Sequence, residues 1–162
     1  MEKIVHTDAI AIPKEYPLPR QSFEHEWVSY ETTTPEQLVE RVKDATVIVT
    51  NKSHLTAEVL AQCPKVKFIA ELATGYNNID IDYCKEHGIG VANIQGYSTE
   101  SVAEHAITMM LMLARSMLKT RKEMENGLWV EANCFCQLPY PIVDLNGKTL
   151  TVIGSGAIGS RI

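Results

Sequence analysis

The chain contains no apolar run approaching the ~18 residues that suggest a membrane span, and its opening, MEKIVHTDAI, lacks the basic-then-apolar pattern of a secretory leader. Positive charge is in short supply. Fifteen Lys and Arg stand against twenty Asp and Glu, for a net charge of -5. Nucleic acid and anionic membrane reward basic patches, so neither is an expected partner. Cysteine is scarce as well. Cys63, Cys84, Cys134 and Cys136 contain no C-x-x-C spacing and are too few for a disulfide scaffold, so a reduced, cytoplasmic protein is expected. Cys134 and Cys136 could share a metal or stand as plain free thiols. The surrounding sequence offers no second ligand pair, and no metal site is expected. Internal repeats and low-complexity tracts are absent, which excludes solenoid architectures.

What is present suits a globular α/β protein. Hydrophobic residues make up 45% of 162 positions and charged residues 22%, enough for one domain, or one domain and part of another. Short apolar runs alternate with helical stretches. KIVHTD, EWVSYE, ATVIVT, VKFIAEL and IGVANI read as strands. Between the second and third, Thr34-Pro35-Glu36-Gln37 carries a capping box with proline in the first turn, predicting a helix to about Lys43. A short helix is expected over 56–62. Another follows Asp80, its cap residue, and stops at Gly88. Such alternation implies a parallel sheet with helices on both faces, all strand C-termini on one edge and ligands at that edge. The loops at Asn51-Lys52, 73–78 and 95–98 are therefore the ones expected to carry function.

Residues 98–127 read as one long helix, with a capping box at Ser101–Glu104 or a cap at Thr99, and a stripe of Val102, Ala106, Met109, Met110, Leu113 and Met117. Leu111 and Met112 widen that stripe, so burial on most sides is expected, with the methionines filling core space. Beyond Ala114 the pattern turns charged. Residues 127–147 are aromatic and irregular, in the manner of an arm that packs against something.

Two loops carry chemistry. At Thr149–Ile162, a short apolar run reads as a buried strand over Leu150–Ile153 and leads into Gly154, Gly156 and Gly159. In a dinucleotide fold these glycines make the tight turn, admit the pyrophosphate and let helix and strand pack closely; the alternative is an ordinary glycine-rich βα turn. In ELATGYNNIDI, Gly75 follows a buried strand at the ligand edge, where it could turn backbone amides outward to hold an anion or could simply make the turn.

ATGYNNID, HGIGVANI, GYSTESVAEH and LPYPIVDLNGKTLTVIGSGAIG together resemble the D-isomer-specific 2-hydroxyacid dehydrogenases, in particular the glycerate dehydrogenase and hydroxypyruvate/glyoxylate reductase group. The resemblance covers nearly the whole chain. It implies a flavodoxin-like parallel-sheet substrate domain (1–98, incomplete), an interdomain helix and dimerisation arm (99–145), and the first strand and glycine loop of a Rossmann domain (146–162). It also implies NAD or NADP as cofactor, a small 2-keto or 2-hydroxy acid as substrate and a homodimer at full length. Thr74 matches a threonine beside the nicotinamide, Val102 a residue near the same pocket, and Gly75 and Tyr76 the amides that hold the substrate carboxylate. Gly154, Gly156, Ala157, Ile158 and Gly159 match the pyrophosphate loop, with Ala157 standing where the family commonly has arginine. Asn51 and Lys52 lie where they could line the substrate pocket. The family's catalytic arginine, glutamate and histidine have no counterpart here. None of the five histidines fits, and Glu104 and His105 read as a helix cap and a helix-face histidine. The expectation is an N-terminal piece of an oxidoreductase, inactive by itself. A cofactor-sensing binding protein on the same fold and a stand-alone flavodoxin-like interaction module are the alternatives.

Overall fold

Val47-Ile48-Val49-Thr50 is a continuous β-branched run, stiff at χ1 and suited to a pleated surface covered on both faces. It forms the middle strand of a five-stranded sheet in the computed structural model, which describes residues 1–19 and 21–162. The strands are β1 (Glu2–His6), β2 (His25–Ser29), β3 (Val47–Thr50), β4 (Phe68–Glu71) and β5 (Gly90–Ala92). All pairings are parallel and the order is β2-β1-β3-β4-β5, the doubly wound order of flavodoxin-like folds. Ile4 lies beside Trp27 and Val47, Ile48 beside Val5 and Ile69, and Ile69 beside Val91. Parallel pairing puts His6, Ser29, Thr50, Glu71 and Ala92 on one edge.

Local signals set the helices. In α1 (Pro35–Val42), Thr34 and Gln37 cap each other's backbone amides, and Leu38 and Val42 turn inward. Short α2 (Ala57–Leu60) starts at Thr56, whose hydroxyl accepts the Val59 amide. The Asp80 carboxylate accepts the Tyr83 amide at 2.9 Å to open α3 (Ile81–Glu86). Gly88, at φ 68°, then ends that segment in the left-handed region that a side chain would resist. The core comprises Val5, Leu38, Val42, Ile48, Leu55, Leu60, Ile69 and Cys84 among others, all nearly inaccessible. Each large aliphatic side chain so placed contributes about 1.5–3 kcal/mol.

The chain divides into two compact units, residues 1–95 and 96–162, and the sheet lies in the first. The second differs from expectation in four ways. The long helix is broken into α4 (Thr99–Ala114) and α5 (Met117–Glu125), followed by the short α6 (Leu128–Glu131). At the break Ser116 adopts φ 49°, an uncommon conformation for a residue with a side chain. Tertiary bonds hold it there: Val143 donates its amide to the Ala114 carbonyl at 2.8 Å, and the Ser116 hydroxyl donates to the Pro141 carbonyl at 2.8 Å. The capping box at Ser101–Glu104 does not form. The helix begins at Thr99 behind Ser98, with no side-chain cap. Of α4 only Ala103 is buried, while Leu113 is 75% exposed, because no element within residues 96–162 covers the apolar stripe. Finally, Leu150–Ile153 forms no strand and Ile153 is 99% exposed. A strand needs a ladder partner, and none exists among the described residues of this unit.

Candidate functional site

The edge formed by the strand C-termini is organised by Asp8, which follows β1. Its carboxylate is buried and accepts the amides of Asn51 (2.8 Å), Lys52 (2.9 Å) and Ser53 (3.1 Å) and the hydroxyls of Thr7 (3.0 Å), Thr50 (2.9 Å) and Ser53 (3.3 Å). Burial works against ionisation, but these donors outweigh it and hold the carboxyl below the usual aspartate range. The loop after β3 is therefore wrapped around a fixed negative charge. Asn51 is tied down as well, since its side-chain amide donates to the Leu72 carbonyl at 3.2 Å. Lys52 is exposed beside it.

Glu71, at the end of β4, is 1% exposed. Burial raises its carboxyl above the usual glutamate range, with the Asp8 charge adding to the rise and the Asn78 bond and Lys52 opposing it. Asn78 uses one side-chain nitrogen to donate to Glu71 Oε2 at 2.9 Å and to the Ser53 carbonyl at 3.1 Å. It thereby ties the loop after β3 to the loop after β4. Glu71 Oε1 has no partner among the described residues.

The loop at 73–78 is held at both ends. The Ile94 amide donates to the Ala73 carbonyl at 3.0 Å, the Asn93 side chain to the Thr74 carbonyl at 2.8 Å, and the Leu55 amide to the Asn78 carbonyl at 2.8 Å. Thr74, Gly75 and Tyr76 between these anchors are exposed. The amides of Gly75 and Tyr76 donate to no described residue. Gly75 lies outside the left-handed region, and a Cβ on it would meet only Asn77 Oδ1, at 3.6 Å. Backbone conformation in this unit does not demand glycine there.

The second unit holds the remaining candidates. Gly154 turns at φ 99°, and a Cβ on Gly159 would collide with the Gly154 carbonyl oxygen, so the first and third glycines are required by a tight turn and a close approach. Around Gly156 a Cβ would meet nothing within 4 Å. After it, Ser160 donates its amide to the Gly156 carbonyl at 2.9 Å, a single helix-like turn carrying Ala157 and Ile158. Arg161 bonds Glu100 of the first turn of α4 at 2.6 Å, and Val102 lies two residues along that helix, 42% exposed. Glu104 and His105 are exposed on α4 and share no hydrogen bond. Among the described residues no cluster of three metal-ligating side chains exists and no helix is long and apolar enough to cross a membrane.

Sequence reasoning brought Asn51, Thr74, Gly75 and Tyr76 to one edge, where the structure also places them. It missed Asp8, Glu71 and Asn78, the groups that set those loops. It also missed a cavity of about 1060 Å³, lined by His6, Ile12, Pro17, His25, Trp27 and their neighbours beside β1 and β2. Within it His6 Nε2 is buried without a partner among the described residues, and burial lowers the affinity of that ring for a proton, against the pull of Asp8. None of the loop candidates lines this cavity.

Comparison with known proteins places these features. The family described as D-isomer specific 2-hydroxyacid dehydrogenase, catalytic domain, matches residues 4–157. The chain is 44% identical over 160 residues to a Haemophilus influenzae protein provisionally named a 2-hydroxyacid dehydrogenase, covering 99% of this chain and 51% of that protein. It is 39% identical over 142 residues to the glycerate dehydrogenase of Methylorubrum extorquens, covering 87% of this chain and 45% of the relative. Among solved structures, D-lactate dehydrogenase of Aquifex aeolicus, complexed with NAD and lactic acid, superposes with a TM-score of 0.70 at 30% identity, covering 99% of this chain and 46% of that one. The chain thus spans about half the length of these curated relatives.

Proposed function

This chain belongs to the D-isomer specific 2-hydroxyacid dehydrogenase family, and from that premise we propose that it supplies the substrate-binding face and the start of the cofactor cradle of an NAD(P)-dependent oxidoreductase acting on D-2-hydroxy acids and 2-keto acids. The observation that carries this reading is the loop at 73–78, pinned at both ends with the Gly75 and Tyr76 amides unpartnered. Unpartnered amides on a pinned loop suit a substrate carboxylate, because donors already held in place need little reorganisation to receive it. A Cβ at Gly75 would meet only Asn77 Oδ1 at ordinary contact distance, so glycine there suits close approach of a ligand to the backbone. Asn51 borders the same edge and is assigned to the substrate pocket.

The glycine loop fits a dinucleotide in its turn and its close contact. Gly154 and Gly159 meet steric demands, while open Gly156 leaves room for a pyrophosphate. Gly154, Gly156, Ala157, Ile158 and Gly159 would hold that group, with backbone amides carrying what an arginine at position 157 would otherwise share. Thr74 and Val102 would border the nicotinamide, which when bound supplies or accepts a hydride. No residue of 1–162 is assigned the acid–base role, so on this reading the isolated chain turns over no substrate and the longer protein does. That protein is further proposed to be cytoplasmic and homodimeric through the 99–145 segment, with residues 1–98 as the substrate domain and 146–162 opening the cofactor domain.

The test is turnover by a protein extended to the length of its relatives. It should oxidise NADH or NADPH in the presence of hydroxypyruvate or glyoxylate. Failure with every 2-keto acid, despite correct folding and nucleotide binding, would remove the enzyme claim.

A further inference from the structure

Cys134 and Cys136 are both exposed, with their Sγ atoms 3.4 Å apart. Chain connectivity keeps residues i and i+2 within about 7 Å at Cα, the span a disulfide needs. No helix or strand includes residues 132–145, so closing the pair disrupts no ladder. Cys134 also differs from the buried cysteines. The neighbouring Cys136 amide and thiol, with the Phe135 amide, hold the Cys134 thiol below the usual cysteine range. By contrast, Cys63 and Cys84 are buried, and burial pushes their thiols up. A thiolate-forming, accessible cysteine beside a second thiol is the arrangement of a reactive thiol and its resolving partner.

We propose that Cys134 and Cys136 form a dithiol exchange site that is oxidised to an intramolecular disulfide by small disulfides. Cys134 thiolate attacks one sulfur of RSSR. A Cys134 Sγ–SR bond forms, the S–S bond of RSSR breaks, and RS⁻ leaves and takes up the proton released by the thiol. The Cys136 thiolate then attacks Cys134 Sγ and displaces the second RS⁻, which is protonated in turn. The dithiol loses two protons and two electrons, and RSSR becomes two RSH. The ring encloses only Phe135, and a loop so short on an exposed segment belongs to the strained, readily reduced class of disulfides. The site is therefore reversible and does not staple the fold.

The experiment exposes the folded chain to oxidised glutathione near neutral pH, quenches with acid, and maps tryptic peptides by mass. Both cysteines fall in the peptide between Lys122 and Lys148, apart from those carrying Cys63 and Cys84. The expected result is loss of two hydrogens in that peptide, recovery with a monothiol reductant, and a fall in free thiols from four to two. Cys136→Ser should accumulate a glutathione adduct on Cys134. Cys134→Ser should form its adduct about tenfold more slowly, for want of the amide-supported thiolate. A stable glutathione adduct on Cys134 in the parent chain, with Cys136 still free, would overturn the proposal, as would no reaction or reaction at Cys63 and Cys84 at a similar rate. Both substitutions lie on the exposed arm, so folding of residues 1–95 serves as a common control.

Discussion

The Asp8 carboxylate accepts the backbone amide of Asn51 at 2.8 Å, so the residue after β1 sets the loop after β3. Five further donors converge on the same group, and its removal leaves buried amides and hydroxyls without an acceptor. Asp8→Ala should therefore destabilise the first unit by about 3 kcal/mol. Urea unfolding followed at Trp27, in a Trp129→Phe background, measures this. A change under about 1 kcal/mol would show that the loop is set by other means.

Asp8 and Glu71 titrate with opposite consequences. Asp8 is depressed below its ordinary 3.8, so its contribution is full above that value and is lost as pH falls through the lower folded value. Glu71 is raised above its ordinary 4.5, so its contribution is full below that value and is lost as pH rises through the higher folded value. Glu71→Gln should flatten the alkaline side of the stability profile and gain about 1 kcal/mol at pH 7, since an amide keeps an acceptor for Asn78 without a buried charge. An unaltered slope above pH 4.5 would refute this assignment.

Asn78 opposes the rise of Glu71 while bridging two loops. Asn78→Ala should cost about 2 kcal/mol and shift the Glu71 carboxyl further upward. Carboxyl-carbon NMR titration reads the second effect separately from stability. A downward shift would mean that the Asn78 bond does not favour the charged form.

Gly159→Ala would drive a Cβ into the Gly154 carbonyl oxygen, a backbone atom that cannot step aside alone. In the longer protein, nucleotide affinity should fall about tenfold or more, with unfolding of residues 1–95 unchanged. Fluorescence titration with NADH gives the first quantity. Retained affinity would place the cofactor away from this loop.

What was legible in the sequence was local. The β-branched run at 47–50, the Thr34/Gln37 box and the Asp80 cap each carry their physics within a few residues, and each formed as read. Asp8 was illegible because all its partners but Thr7 lie 42 to 45 residues away, and a lone Asp after a strand looks like any turn residue. The break at Ser116 carries no glycine or proline. Only the change from apolar to charged residues after Ala114 hinted at it, while the contacts that fix it come from Pro141 and Val143. Leu150–Ile153 has strand-like composition, but composition supplies no neighbour.

The strand order has a consequence for synthesis. β1 is made first yet lies between β2 and β3, with Ile4 paired to both Trp27 and Val47. A ribosome adding ~5–20 residues per second needs a few seconds to pass from the first of these to the last. Throughout that interval the apolar faces of Ile4 and Val5 await half of their partners. The nascent chain is most exposed to aggregation and to chaperone capture before Val47–Thr50 emerges, and the sheet becomes self-protecting from its centre outward.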